Sequence, residues 1–141
     1  MRLLLFFSFI CLSIGCTTTK ILKTNSYILN GTWVPVKQEM AGTMLPKAAF
    51  ENQKLIISDS LYTVYAESTD KGLVKYQDNK MDIYGKAGVN AGKHFTAIYK
   101  FENELLTVCY NLSGNGYPGT YETKNNPLYF LSVFKRNWCI N

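Results

Sequence analysis

At 141 residues the chain has room for one domain. Its formal net charge is +5, but the basic residues are dispersed: Lys54, Lys71, Lys75, Lys80, Lys86, Lys93 and Lys100 stand apart, interleaved with acids. No stripe of this kind tracks a phosphate backbone, so nucleic acid is excluded as a partner, and mild attraction to anionic headgroups or glycans is the most the charge supports.

Met1-Arg2 gives a positive start, and Leu3 to Leu12 is almost unbroken apolar sequence. That run is about ten residues, where a bilayer span needs about twenty, so it reads as the apolar core of a secretory signal. Ser13-Ile14-Gly15-Cys16 follows and resembles the lipobox of bacterial lipoproteins, with Ser13 where leucine is commonest. The resemblance implies a signal peptide over 1–15 and a diacylglycerol on the Cys16 thiol, which becomes the new N-terminus. Two or more acyl chains give lasting membrane attachment. Thr17 follows the cysteine with no acid nearby. By resemblance to Gram-negative lipoproteins, that favours the outer membrane with the domain facing the periplasm, and surface display is the alternative. Cleavage removes Arg2 alone among the charged residues, so +5 becomes +4.

Thr17 to Leu29 is a polar, Lys-containing tether, which sets a lipidated segment over 16–29 and a domain over 30–141. From Asn30-Gly31-Thr32-Trp33 onward, short β-branched and aromatic stretches alternate with turn residues. The predicted strands are Thr32 to Glu39, Leu55 to Ser58, Leu61 to Glu67, Leu73 to Gln77, Lys80 to Gly85, Lys93 to Phe101, Leu105 to Leu112 and Leu128 to Arg136. Asp59-Ser60, Asp78-Asn79 and Glu102-Asn103-Glu104 are the hairpin turns. Pro46 to Asn52 is the one helical hint. Phe95, Ala97, Tyr99 and Phe101 share one face of their strand, opposite Thr96, Ile98 and Lys100, the period of a half-buried strand. The expectation is an all-β fold: a small antiparallel up-and-down barrel of about eight strands, which leaves no exposed edge.

Cys11 leaves with the signal and Cys16 is acylated, so Cys109 and Cys139 remain. Export makes a disulfide chemically possible. In a hairpin of the last two strands, however, Cys109 faces a residue near Phe130, and Cys139 lies about 30 Å further along at strand rise. Bridged Cα atoms lie within about 7 Å, so only a tail that folds back closes the gap. A small, buried, apolar Cys109 is the expected state.

Gly31-Thr32-Trp33 resembles the G-x-W that opens the first lipocalin strand, and Phe134-Lys135-Arg136 resembles the late arginine that packs over that tryptophan. Trp33 and Arg136 are therefore the expected barrel-closing pair. The order of landmarks is similar to that of the bacterial lipocalin-like domain family of lipid-anchored proteins. It runs through Gly42 and Pro46, Lys80-Met81-Asp82-Ile83, Gly88 to Gly92, Ala97-Ile98-Tyr99, Leu105 to Tyr110, Pro118 and Tyr121. Tyr117 stands where that family's pattern has arginine. The resemblance implies a lipocalin-like barrel without a settled activity.

No complete catalytic set, metal site or cofactor motif is expected. His94 is the only histidine and reads as a rim residue. Asp82 interrupts an apolar strand; it either turns inward, with a raised pKa unless a cation pairs with it, or faces solvent or a cross-strand partner. Ser113 to Gly119 is a glycine-rich loop, read as a flexible connection or a lid at the barrel mouth. Asp59-Ser60-Leu61 resembles a bacterial O-glycosylation acceptor. Ten tyrosines suit either pocket walls or plain packing. The candidate pocket or mouth residues are Tyr65, Asp82, Tyr84, Tyr99, Tyr110 and Tyr117. The leading expectation is a non-enzymatic module for a small apolar or amphipathic ligand. The second is an interaction protein: inhibitor, immunity factor or scaffold with an envelope partner. For the latter, Ser113 to Gly116 with Tyr121 to Lys124 resembles the inhibitory loops of lipid-anchored lysozyme inhibitors.

Overall fold

A computed structural model describes residues 28–138. The signal peptide, Cys16, most of the tether and Cys139 lie outside the described residues.

The strands are β1 (Gly31–Met40), β2 (Thr43–Met44), β3 (Lys54–Ser58), β4 (Leu61–Tyr65), β5 (Thr69–Gln77), β6 (Lys80–Ala87), β7 (His94–Glu102), β8 (Leu105–Asn111) and β9 (Tyr129–Arg136). From β3 to β9 each strand pairs antiparallel with the next, and β1 pairs with both β3 and β9 to close the cylinder. The result is an eight-stranded closed barrel, with β2 a short hairpin appendage on β1. Up-and-down order follows from the turns: Asp59 and Asp78 adopt φ of 53° and 54°, the left-handed region that Asp and Asn tolerate best after glycine. The helical hint over Pro46 to Asn52 is realised only as a 3-10 turn at Lys47–Ala49.

Alternation along each strand fills the interior. Trp33, Leu55, Ile57, Tyr62, Val74, Met81, Ile83, Ala97, Tyr99, Leu106, Val108 and Phe134 form one buried cluster. On β1 the period slips. Pro35 faces Phe134 and Lys37 faces Val133, leaving Val36 as an extra residue. Proline brings no N–H to the ladder, so a bulge beside it costs little, and the slip turns Gln38 inward.

One end of the barrel is closed by the G-x-W turn. The Trp33 Nε1–H donates to the Leu29 carbonyl at 2.8 Å, and Leu29 is buried. Packing therefore starts one residue before the expected Asn30 boundary, because the indole needs that carbonyl. The Arg136 guanidinium lies 4.2 Å from the Trp33 ring centroid and donates to the carbonyls of Ile28 and Asn30. Gly31 has φ of 138°, and a Cβ there would meet Arg136 Nη1 at 2.5 Å, so both backbone and space require glycine.

The outside of the barrel is not uniformly wet. Residues 112–128, between β8 and β9, run as a belt across five adjacent strands. Tyr117 reaches Asp82 on β6, and the Gly116 carbonyl accepts from Thr96 on β7. Tyr117, Tyr121 and Tyr129 cover Ile98, Cys109 and Leu131 on β7, β8 and β9. The buried Thr123 hydroxyl donates to Glu39 on β1 and accepts from the Gly42 N–H. The glycine-rich loop is thus neither a lid nor a loose connection, because its carbonyls and tyrosines have partners on the wall. The outer face of β7 is buried for the same reason, which makes the strand more than half-buried.

Candidate functional site

Above the plugged end the barrel holds a cavity of about 520 Å³. That size falls within the ordinary range of small-molecule sites, roughly 300–1,000 Å³. Met81, Ile83, Leu106 and Phe134 are among its apolar walls, Tyr62 and Tyr76 line it as well, and Val64, Phe95, Leu112 and Phe130 lie toward its mouth. The mouth lies at the end opposite Trp33 and carries the polar side chains.

Two polar clusters form that rim. On one side Gln38 donates to Gln53 Oε1 at 2.8 Å, and Gln53 donates back to the Ala49 carbonyl. This pair bridges the upper region where β1 has parted from β3. On the other side the Asp70 carboxylate accepts from the Asn90 backbone N–H and side-chain amide, both at 3.0 Å. Lys93 Nζ donates to Asn90 Oδ1 at 3.2 Å. Asn90 is held over the mouth because its turn folds back on β6 at Gly85, where a Cβ would collide with the Asn90 carbonyl oxygen. Lys54 completes the rim, with its ammonium 4.8 Å from the Tyr65 ring centroid.

Of the six residues expected at a pocket or mouth, only Tyr110 lines the cavity. Burial pushes its hydroxyl well above the ordinary tyrosine pKa. Tyr99 is also interior but sits at the plugged end, where its hydroxyl donates to the Asp78 carbonyl at 2.8 Å. Tyr65 is exposed beside the rim. Asp82, Tyr84 and Tyr117 belong to the outer wall, because Met81 and Ile83 take the two inward positions around Asp82.

The sequence reading missed Tyr62 and Tyr76, which do face the cavity. Burial, with the Asp70 charge, raises the Tyr62 pKa. The Tyr76 hydroxyl is buried and has no hydrogen-bond partner among the described residues, and burial raises its pKa strongly.

The outer cluster is a hydrogen-bonded clasp. Asp82 Oδ1 lies 2.8 Å from His94 Nε2, and Asp82 Oδ2 accepts from the Tyr117 hydroxyl at 2.5 Å. Tyr84 stacks on His94 at 4.6 Å, with Lys75 over its other side. Burial works to raise the Asp82 pKa, but the bonds from Tyr117 and His94 and the Lys75 charge outweigh it, so the carboxyl sits below its usual range. Its bond to Asp82 pushes the Tyr117 hydroxyl up to about 12. The cross-strand partner, one of the two alternatives for Asp82, is the one realised. Cys109 is a free, buried thiol under the belt, pushed up to about 11 chiefly by burial.

No group of three or more potential metal-ligating side chains gathers among the described residues. No protein-family model matches the sequence, and no curated protein matches it.

Proposed function

We propose that the protein is a membrane-anchored, lipocalin-like binding module that holds a small apolar or amphipathic molecule in its barrel without transforming it. The cavity carries this reading: an apolar space of about 520 Å³, reached past a rim of Gln38, Gln53, Asp70, Asn90 and Lys93. An apolar body gains roughly 25 cal/mol per Å² on leaving water for such walls. The rim amides and charges then orient a polar end, which is the usual division of labour in a ligand site. The lipobox supplies the anchor in this reading.

The test is saturable binding of a fluorescent amphiphile, read as an emission increase, to wild type and to Val64→Trp. Val64 lies half-buried in the cavity wall beside the core, so an indole there takes up part of the space, and the melt reads whether the packing around it survives. One-site binding in wild type, weakened at least tenfold in a Val64→Trp protein that still melts cooperatively, is the expected outcome. Equal binding by both proteins, or none by wild type, refutes the reading.

A further inference from the structure

We infer that the plugged end of the barrel is a bilayer-contact face, seated in the headgroup–hydrocarbon boundary with the cavity mouth turned to the aqueous side. The inference rests on the proposed anchoring at Cys16 and adds which surface the anchored domain lays against lipid.

Among the described residues eleven large apolar side chains are exposed: Ile28, Leu61, Phe101, Leu105 and Trp138 lie at this end, and Met40, Met44, Tyr65, Val89 and Leu128 lie toward the mouth, so exposure alone does not choose the pole. Single exposed apolar residues are ordinary, but Ile28, Phe101 and Trp138 line one shallow dish beside Arg136, and apolar groups that adjoin in this way mark a contact surface. Trp138 is 71% exposed and Leu61 56%. The face mixes aliphatic groups with an indole whose neighbour is a guanidinium: Arg136 lies 5.2 Å from the Trp138 ring. Aromatic and basic groups side by side are the composition that partitions at a membrane interface. Both Arg136 amino groups already donate to backbone carbonyls, so the shallow dish beside Trp138 is poorly suited to bind a free anion.

The place where the chain enters selects the occupant. Ile28 is part of this dish, and eleven residues separate it from Cys16. The twelve steps from Cys16 to Ile28 reach at most about 40 Å, whatever path the chain takes. A lipidated Cys16 therefore keeps this end beside the bilayer at high effective concentration, where weak apolar contacts suffice. The rim lies roughly 20 Å away along the barrel.

Charge does not drive the seating. Lys100 pairs with Glu102 at 2.9 Å, Asp59 is bonded to Asn30, and Glu104 stands beside Arg136 in the dish. Acids and bases at this end offset one another, so zwitterionic lipid serves as well as anionic lipid.

The experiment uses the full lipidated protein in phosphatidylcholine vesicles whose acyl chains carry bromine near the headgroup. Trp33 is buried, so contact quenching reports Trp138. The expected result is quenching several-fold stronger in wild type than in Trp138→Phe, little changed by adding anionic lipid. Flotation of wild type but not Cys16→Ser with the same vesicles checks the anchor independently. Protein that floats with Trp138 unquenched overturns the seating and leaves the anchor standing. Protein that fails to float removes the anchor and the seating with it.

Discussion

Replacing Arg136 by methionine keeps most of the stem and removes the fork that joins the end of β9 to the segment leading into β1. The guanidinium donates to the carbonyls of Ile28 and Asn30 and lies 4.2 Å from the Trp33 ring centroid. Bonds from a charged donor contribute about 1.5 kcal/mol each at the low end, and the cation over the indole about 0.5–2 kcal/mol. Water reaches the freed carbonyls near the surface and offsets part of this. The net loss is then about 2–3 kcal/mol, and a domain of this size loses about 9–13 °C in Tm. Arg136→Lys recovers less than half, because an ammonium cannot serve two carbonyls and stack at once. Thermal melts of Cys16→Ser protein by far-ultraviolet circular dichroism measure both variants. A Tm within about 3 °C of wild type for Arg136→Met refutes the view that this residue closes the barrel.

Gly31→Ala is expected to destabilise by about 1–3 kcal/mol in urea titration, since φ of 138° and the Arg136 contact both oppose a Cβ. Tyr76→Phe should leave stability unchanged or raise it by about 1 kcal/mol, because a buried hydroxyl without a partner costs desolvation and returns nothing; a clear loss would mean the hydroxyl is bonded. Glu39 and Asp82 hold the belt with pKa values below their ordinary 4.5 and 3.8. Their contribution is present above those ordinary values and lost as pH falls through the folded ones, so an Asp82→Asn, Glu39→Gln protein shows a flatter acid limb in stability against pH. The Tyr117 hydroxyl is shifted the other way, from 10 to about 12. Its contribution is complete below pH 10 and disappears as pH rises through about 12, and in Tyr117→Phe that alkaline step, followed by phenolate absorbance, is reduced.

Periodicity made the strands legible, and the Trp33–Arg136 closure was visible in two short motifs at opposite ends of the domain. Facing was harder. Met81, Ile83 and Gly85 alternate with Asp82 and Tyr84, so the apolar partners alone place Asp82 and Tyr84 outside. An acid within an apolar run draws attention to itself and away from that alternation. Tyr76, between Lys75 and Gln77 with Val74 two positions before it, is inward by the same rule, whereas Tyr62 follows Leu61, an apolar residue on the outer face that blurs the contrast. The belt had no periodic signature at all. Its hold on the wall comes from single long-range bonds, Thr96 to Gly116, Tyr117 to Asp82 and Thr123 to Glu39, between residues 20, 35 and 84 positions apart. A glycine-rich composition reports only that the backbone can take such a path.

Native mass spectrometry of the protein released gently from the cells that produce it addresses the cavity most directly. A bound small molecule of constant mass on wild type, missing from Val64→Trp prepared in parallel, is the result that follows from an occupied barrel. Apo mass alone for wild type across independent preparations contradicts it.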